Sequence, residues 1–447
     1  MDFAARAHDH NYRMDPIVRS RLDNDFYIYS MGQIVHEKHP STIVDFDLTN
    51  RSGHVRLADH IDIGELREQL DHAKSLRYGK SELIVLQGQT YAGVSNMFSG
   101  GYIDRLRRST LTDYELTVDK EAGQFNLRTG GKWLDSMQWE IHSLAIVNEL
   151  YARAMMRKLS KAQLDIMYAR AKTRLYAKLE RIKNEAPDMQ VSEFGTRRRH
   201  GFLWQKYVVE MMMEVLGDQF IGTSNVLLAQ QLGLEAKGTS AHQMPMVYAA
   251  LAAKDGNEAI RQSQYQVMLD HQSVYGEHLR VFLPDTFGTT QFLENAPNWV
   301  QWWAGFRPDS KDAFEAGEEA IAFWKHMSQD PKKKLCLFAD GLDIEIPGAP
   351  LNGTDMIAVH NRFKGRIMDG YGWGTNATNS FGGCVPGEPD MMKAISIVMK
   401  AVSANGHPTV KISDNPSKAK SNDPAELERY LRLFGHAGIG AERATLV

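Results

Sequence analysis

The stretch that most restricts the fold of this chain is residues 189–242, where three short β-prone runs each end in a glycine-containing turn. Each turn is followed by polar side chains, first Arg197, then Ser224 and finally His242. A strand that serves only burial ends in turn-forming residues, so the repeated delivery of functional groups indicates a site. We therefore interpret 189–242 as the part of the chain around which an active site is assembled.

The same alternation of strand, loop and helix continues through the second half of the chain and predicts a parallel sheet. Seven strands between helices favour an α/β barrel, complete or incomplete, whose strand ends converge on one mouth. The seven runs are MQVSEFG, QFIGTSN, LEAKGTS, LRVFLPD, WAGFRPD, KLCLFADG and GRIMDGYGWG. The residues that follow them are Arg197, Ser224, His242, Asp285, Arg307 with Asp309, Asp340 with Asp343, and Gly374 with Thr375.

The two ends of the chain carry a different pattern. Period-two alternation in STIVDFDLTN and YELTVDKEAGQFNLRTGGKWLD predicts antiparallel strands, and ISIVMKAVSANGHPTVKISD predicts two more around an Asn-Gly turn. Apolar residues at helical spacing over 140–186 predict helices with a break near Ser160. We predict an α+β sheet domain over 1–150, with strands returning from about 395–447, and an irregular α/β barrel over 151–394 that carries the site.

Composition argues against several classes of protein. A net charge of −3 gives no long-range attraction to nucleic acid or to anionic lipid, so any anion site must be local. No apolar run approaches the roughly 18 residues that cross a bilayer, and the first residues lack the apolar core of a signal peptide. The only cysteines, Cys336 and Cys384, exclude a disulfide framework and fit a reducing compartment, so we expect a cytoplasmic protein.

The residues at the predicted mouth suit a phosphorylated sugar. Arginines and glycine-rich turns recognise phosphate, and the aspartate in RPDS suits vicinal sugar hydroxyls. Neither a G-x-G-x-x-G turn opening a helix nor a G-x-x-x-x-G-K-[ST] loop is present, so a Rossmann or P-loop nucleotide site is not supported. Two simpler interpretations stay open: the basic run 197–199, together with His200, could be solvated surface, and His242 could be a satisfied core histidine.

Six motifs, taken in order, resemble the nicotinate phosphoribosyltransferase family: EFGTRRRH, GTSNVLLA, GTSAHQ, GFRPDS, ADGLD and GWGTNATN. A looser similarity extends from LDNDFY at 22–27 to KISD at 411–414. The resemblance implies an irregular barrel of the type II phosphoribosyltransferase kind beside a sheet domain built from both chain ends. It implies the reaction of nicotinate with 5-phosphoribosyl 1-pyrophosphate, coupled to ATP hydrolysis, with Mg²⁺ as cofactor. It also implies a homodimer with active sites at the subunit interface.

By the same resemblance, the catalytic residues are His242 and Asp285. His242 matches the histidine that ATP phosphorylates, and Asp285 matches a residue that orients this histidine and the ribose end of the substrate. Phe194 resembles the aromatic residue that stacks on the pyridine ring. Tyr27 resembles the ring that closes this sandwich from the neighbouring subunit. No residue is assigned as a metal ligand.

The remaining substrate contacts are also implied by the resemblance. Ser224 stands where nicotinamide-using relatives carry an aspartate, and a serine accepts a carboxylate that an aspartate would repel. The other matched residues are Arg197 for phosphate or pyrophosphate, Arg307 for the nicotinate carboxylate or a substrate phosphate, Asp309 for ribose hydroxyls, and Gly374 with Thr375 for the 5′-phosphate.

Two departures from the family pattern support an alternative function. Ile28 occupies a place where the family usually has lysine, and Ala339 one where serine is common. The alternative is a catalytically weakened paralogue that acts as a ligand-binding or regulatory dimer. A further alternative is a relative that uses nicotinamide or quinolinate. Ser224 argues against the nicotinamide-using relative.

Overall fold

The computed structural model describes residues 16–90, 97–415 and 419–435, and the backbone of 445–446. Residues 1–15 of the predicted sheet domain, and most of the predicted return after residue 435, lie outside the described residues. Within the described ranges, no helix combines the length and hydropathy needed to cross a bilayer.

The strands in the described residues are between two and nine residues long. In chain order they are β1 (Ile43–Asn50), β2 (Tyr114–Asp119), β3 (Gln124–Lys132), β4 (Val191–Glu193), β5 (Phe220–Thr223), β6 (Val281–Phe282), β7 (Gly305–Phe306), β8 (Leu335–Phe338), β9 (Leu342–Asp343), β10 (Thr354–Asp355), β11 (Met368–Trp373), β12 (Ile397–Ala404), β13 (His407–Pro408), β14 (Lys420–Ser421) and β15 (Thr445–Leu446).

Helices separate most of these strands. In chain order they are α1 (Phe26–Lys38), α2 (Ile63–Ser75), α3 (Lys80–Gln87), α4 (Gly100–Arg107), α5 (Trp133–Ser136), α6 (Trp139–Met156), α7 (Lys161–Glu185), α8 (Phe202–Leu216), α9 (Val226–Leu232), α10 (Gln243–Ala252), α11 (Asn257–Tyr275), α12 (Thr289–Glu294), α13 (Ala313–His326), α14 (Met356–Phe363), α15 (Thr375–Thr378) and α16 (Pro424–Leu433).

One sheet joins the two ends of the chain, as the alternating pattern predicts. Its strand order is β13-β12-β1-β3-β2, and every neighbouring pair is antiparallel. Val44, Phe46 and Leu48 of β1 are buried, because successive side chains of a strand point to opposite faces. The predicted turn after β12 is formed by Asn405 and Gly406, which both have positive φ, as a tight hairpin turn requires.

The second sheet is parallel throughout, with the strand order β5-β4-β11-β8-β7-β6. It contains six of the seven predicted strands. The prediction of a strand at LEAKGTS is wrong, since this run contributes only a bridge between Ala236 and Thr223. Gly233 and Gly238, both at positive φ, bracket Ala236 and leave too short an extended segment to pair further. Because β5 and β6 form the edges of the sheet, closure into a barrel stays a prediction.

Two long helices connect the sheets. The predicted break near Ser160 is confirmed, because Ser160 caps α7 by accepting the backbone N–H of Gln163 (3.3 Å) while the Gln163 side chain accepts that of Ser160 (3.0 Å). The preceding helix, α6, contacts both β12 and the turn at Thr196–Arg198 after β4. It therefore ties the antiparallel sheet to the parallel one, while the predicted domain limits at 150 and 394 stay predictions.

His360 contacts residues near the N-terminal ends of β4 and β11, and these contacts predict a pH-dependent stability. Its Nδ1 lies 2.7 Å from Asp369 Oδ2 and its Nε2 3.1 Å from Asp188 Oδ1. The hydrogen bonds to Asp369 and Asp188 raise the pKa of His360 above its usual value. A raised pKa stabilises the folded state fully below the unfolded pKa of about 6.5, and the contribution disappears as pH rises through the folded pKa.

We therefore expect His360→Gln to lower the free energy of unfolding by about 1 kcal/mol or more at pH 5.5 and by less at pH 8.5. Urea unfolding of both proteins at the two pH values measures this difference. The unmodified chain at each pH is the control for general effects of pH. A difference that stays constant, or that grows toward pH 8.5, would contradict the assignment.

Candidate active site

A cavity of about 740 Å³ lies between the C-terminal ends of the parallel strands and the antiparallel sheet. More cationic than anionic side chains line it, although the whole chain has a net charge of −3. Such a local excess of positive charge indicates an anionic ligand. The cations are Arg51, Arg197, Arg198, Arg307, Lys393, Lys400 and Lys411, and the carboxylates are Asp25, Asp309, Asp340 and Asp390.

Most of the predicted site residues lie together in the wall of this cavity. Ser224 and Asp285 do not line it, and each is instead hydrogen bonded to a residue that does. The predicted residues that line the cavity are Tyr27, Phe194, Arg197, His242, Arg307, Asp309, Gly374 and Thr375.

The turn after β4 brings Phe194 and Arg197 to the cavity. The backbone N–H of Phe194 donates to the Trp373 carbonyl (2.8 Å), which extends the pairing of β4 with β11. A Cβ at Gly195 would lie only 2.0 Å from Thr378 Oγ1, so this turn requires glycine. Arg197 remains partly exposed and lies 3.9 Å from Glu140 Oε1, so its guanidinium is available to a ligand.

A buried carboxyl group holds this turn together. Glu193 is fully buried, and it accepts hydrogen bonds from Thr223 Oγ1 (2.5 Å) and Gln205 Nε2 (3.1 Å) and from the backbone N–H of Gly195. Burial raises the pKa of Glu193 to about 7. The end of β4 is thus fixed to β5 and α8 at the residue before Phe194.

The basic run after β4 separates into residues of the site and residues of the core. Arg197 and Arg198 line the cavity, whereas Arg199 is fully buried. Arg199 makes two parallel hydrogen bonds to Asp23, from Nη1 to Oδ1 (2.7 Å) and from Nη2 to Oδ2 (2.8 Å). His200 is buried and bonds the Tyr168 hydroxyl at 2.9 Å. The interpretation of this run as solvated surface is therefore wrong for Arg199 and His200, which are buried, while Arg197 and Arg198 belong to the cavity wall.

His242 is held by two carboxylates. Its Nε2 lies 2.8 Å from Asp285 Oδ1 and 3.2 Å from Asp309 Oδ2. Because ionised carboxylates only accept hydrogen bonds, Nε2 carries the proton and the lone pair of the neutral ring is on Nδ1. Burial, together with the charges of Lys411 and Lys400, holds the pKa of His242 well below its usual value. The ring is therefore neutral near pH 7, and it is not a satisfied core histidine, since it lines the cavity.

Two lysines reach the same region, one from the antiparallel sheet and one from the segment that follows it. Lys400 lies on β12, and burial lowers its pKa to about 7. Lys411, which follows β13, is 3% exposed and places its Nζ 3.4 Å from Asp285 Oδ2. The group that holds His242 thus combines residues from both sheets.

Ser224 occupies a different place from the one that its predicted role requires. It is fully buried, and its hydroxyl donates to Asp25 Oδ1 at 2.7 Å. Asp25, not Ser224, lines the cavity, because the segment before α1 lies over the end of β5. Burial raises the pKa of Asp25. A direct contact of Ser224 with a ligand is therefore not the arrangement in this structure.

Tyr27 lines the same cavity as Phe194 of its own chain. The reason is local: the Phe26 N–H donates to the Ser224 carbonyl at 2.7 Å, and a Cβ at Gly238 would lie 3.0 Å from the Tyr27 nitrogen. The start of α1 is thus docked on its own parallel sheet. The predicted contribution of Tyr27 to the site of a neighbouring subunit stays a prediction.

Several cavity residues were missed at the sequence level. Asp25 belongs to the D-x-Y motif that contains Tyr27, so that motif could have identified it. Lys400 interrupts an apolar strand in IVMKAV, which is a weak signal for an inward-facing charge. Lys411 begins the KISD motif, so that motif could have identified it. Arg51 carries no local signal, because only the packing of the two sheets brings it to the cavity.

Comparison with known proteins gives one consistent result. Residues 189–436, more than half of the chain, match the family described as nicotinate phosphoribosyltransferase (NAPRTase), and residues 22–148 match its N-terminal domain. The structure is similar to that of nicotinate phosphoribosyltransferase from Porphyromonas gingivalis (TM-score 0.79, 25% identity, 94% of this chain and 100% of that chain covered). It is also similar to the enzyme of that name from Vibrio cholerae (TM-score 0.80, 25% identity, 95% of both chains covered).

Proposed function

Because the chain belongs to the nicotinate phosphoribosyltransferase family, we propose that it joins nicotinate to 5-phosphoribosyl 1-pyrophosphate, with coupled ATP hydrolysis, in NAD salvage. The products are nicotinate mononucleotide and pyrophosphate. The observation that carries this proposal is one cavity that combines two aromatic rings, a surplus of cations and a neutral histidine held by carboxylates.

The two substrates fit different parts of the cavity wall. Phe194 and Tyr27 supply rings for the pyridine of nicotinate, and Arg307 a cation for its carboxylate or for a substrate phosphate. Asp309 accepts from ribose hydroxyls, and Gly374 with Thr375 offers a close backbone approach to the 5′-phosphate. Ser224 affects the choice between nicotinate and nicotinamide through Asp25, whose carboxyl it contacts.

The transfer step needs charge stabilisation more than a strong nucleophile. The nicotinate ring nitrogen forms a bond to C1′ of the ribose as the bond from C1′ to the pyrophosphate oxygen breaks. The leaving pyrophosphate carries away the electron pair, and Arg197, Arg198 and Arg51 supply positive charge for it. Positioning of the two substrates in one cavity lowers the entropic part of the barrier.

His242 is the residue that we assign to ATP coupling. The lone pair on its Nδ1 attacks the γ-phosphorus of ATP, and the bond to the bridging oxygen breaks to release ADP. The phosphorylated ring becomes a cation, and Asp285 stabilises it by accepting the hydrogen bond from Nε2–H. Hydrolysis of this phosphohistidine to phosphate returns the neutral ring.

The donor set beside His242 also fits a divalent cation. Ligand atoms of His242, Asp285 and Asp309 lie within 4.8 Å of one another. Mg²⁺ prefers carboxylate and phosphate oxygens, so Asp309, which lines the cavity, is the residue that would hold it, with a substrate phosphate completing the shell. A bound Mg²⁺ would neutralise phosphate charge.

Two further expectations are kept as proposals: a homodimer and a cytoplasmic location. Light scattering of the purified protein measures the first, and fractionation of the source cells the second.

The alternative, a ligand-binding paralogue with weakened catalysis, is motivated by Ala339, which lines the cavity in place of the usual serine. Ile28 is 1% exposed and lies in the core, so it does not bear on ligand contacts.

The direct test is formation of nicotinate mononucleotide from nicotinate and 5-phosphoribosyl 1-pyrophosphate with Mg²⁺, with and without ATP. We expect product in both reactions, and more of it with ATP. Nicotinamide and quinolinate in place of nicotinate test the other enzyme functions, and we expect neither to replace it. No product from a folded protein that still binds nicotinate would favour the paralogue.

A further inference from the structure

One face of α7 carries a row of polar side chains directed at a loop of the cavity. Gln163, Arg170, Arg174 and Lys178 follow one another at intervals of seven, four and four residues, which places them on the same side of the helix. The loop is the segment after β11, and its residues 374–376, 379, 380, 382 and 383 line the cavity. The reaction proposed above gives none of these four side chains a part.

These side chains donate hydrogen bonds to successive backbone carbonyls of the loop. Most of the accepting residues are two positions apart, so the helix face follows the loop along its length. The pairs are Lys178 with Asn376 (3.3 Å), Arg174 with Ser380 (2.8 Å) and Gly382 (2.7 Å), Arg170 with Cys384 (3.4 Å), and Gln163 with Pro386 (3.5 Å).

Lys178 joins this loop to a second loop of the cavity. Its Nζ lies 2.5 Å from Asp343 Oδ1, and Asp343 Oδ2 accepts the backbone N–H of Asn352 at 3.0 Å. The Asn376 amide donates to the carbonyls of Leu342 (2.8 Å) and Asn352 (2.7 Å). The segment around Asn352, which lines the cavity, is thereby fixed to the same helix.

Burying charged groups costs free energy, so these contacts add little to the stability of the fold. Their role is more readily explained as positioning the cavity loop. Lys178 is 2% exposed and Asp343 fully buried, and such a pair is on average no more stabilising than an apolar replacement. A buried ion pair does, however, fix the geometry of the groups that it bonds.

We infer that Arg174 and Lys178 are positioning residues that hold the loop 374–384 in the shape that binds the phosphate-bearing substrate. This inference rests on the proposed function, since Gly374 and Thr375 of that loop are the residues assigned to the 5′-phosphate. The pyridine ring is assigned to Phe194 and Tyr27, which α7 does not hold through these bonds. Loss of the contacts should therefore affect the two substrates unequally.

The test is steady-state kinetics of Arg174→Met, which keeps the length of the side chain and removes its donors. We expect the KM for 5-phosphoribosyl 1-pyrophosphate to rise about tenfold and the KM for nicotinate to change less than about twofold. Arg174→Lys, which restores one donor, should recover part of the loss. Lys183→Met is the matched control, because Lys183 lies on α7 but is exposed and has no hydrogen bond to this loop among the described residues.

A second measurement separates the inference from the proposed function. Calorimetric titration with ribose 5-phosphate reports binding without turnover, and we expect the Kd of Arg174→Met to be about tenfold higher than that of the unmodified protein. Binding by the unmodified protein without any turnover would refute the proposed reaction only. Equal changes for both substrates with a lowered Tm, unchanged kinetics, or no ribose 5-phosphate binding by the unmodified protein would overturn the inference.

Discussion

His242→Ala should abolish the stimulation of nicotinate mononucleotide formation by ATP, while the rate without ATP persists. Removing the ring removes the only nitrogen lone pair that we assign to attack on ATP, so ATP hydrolysis should fall by about 10³-fold or more. Because burial and the nearby lysines hold the pKa of His242 well below its usual value, the unmodified ring stays neutral on acidification. We therefore expect ATP hydrolysis to lose little rate between pH 8 and pH 6.5 through protonation of this histidine.

The controls address the fold and the role of the carboxylate. His407→Ala removes an exposed histidine on β13 and should leave ATP stimulation unchanged. Asp285→Asn keeps the size of the side chain that contacts His242 Nε2 but removes its charge, and we expect a loss of about 10²-fold or more in ATP hydrolysis. ATP stimulation of normal size in His242→Ala, with a normal Tm, would refute the assignment.

The residues at the C-terminal ends of the parallel strands are predicted well from the sequence. All strands of a parallel sheet run in the same direction, so their C-terminal ends lie at the same edge of the sheet. Arg197, Arg307 and Asp309 follow such ends and line the cavity as predicted. The direction of a side chain after a turn is harder to predict, since a turn breaks the period-two alternation. Ser224 and Asp285 therefore lie at the expected strand ends but behind the cavity wall.

Contacts between distant segments account for what the sequence does not predict. Asp25 reaches the cavity because Asp23 is bonded to Arg199, 176 positions away in the chain. Lys411 reaches Asp285, the partner of His242, through the packing of the two sheets, which no local period encodes. The strand predicted around Ala236 does not form because Gly233 and Gly238 on either side of it have positive φ. The sequence indicates this only weakly, since glycine adopts both extended and left-handed backbone conformations. Periodicity thus identifies the elements, and long-range polar contacts decide how they meet.

Mixing Tyr27→Ala with Phe194→Ala should not restore activity. Each variant loses one ring of the pyridine site, and stacking on an aromatic ring contributes about 1–3 kcal/mol, so kcat/KM for nicotinate should fall about 10- to 100-fold in each. Both rings line the cavity of one chain, so no pairing of the two variants rebuilds a complete site. Tyr27→Phe, which keeps the ring, is the matched control and should retain most activity, because within the described part of the chain the Tyr27 hydroxyl makes one long hydrogen bond, of 3.4 Å, to Glu140.

The alternative arrangement, with Tyr27 donated by a neighbouring subunit, makes a different quantitative prediction. Random pairing would make half of the dimers mixed, each with one intact site, so about a quarter of full activity would return. Co-expression of the two variants with different affinity tags, followed by selection for both tags, enriches any mixed dimers before the assay. Three bonds favour the single-chain site: Asp23 to Arg199, the Phe26 N–H to the Ser224 carbonyl, and Ser224 to Asp25. Recovery near half of full activity in dimers selected for both tags would mean that this docking of α1 gives way to exchange between subunits.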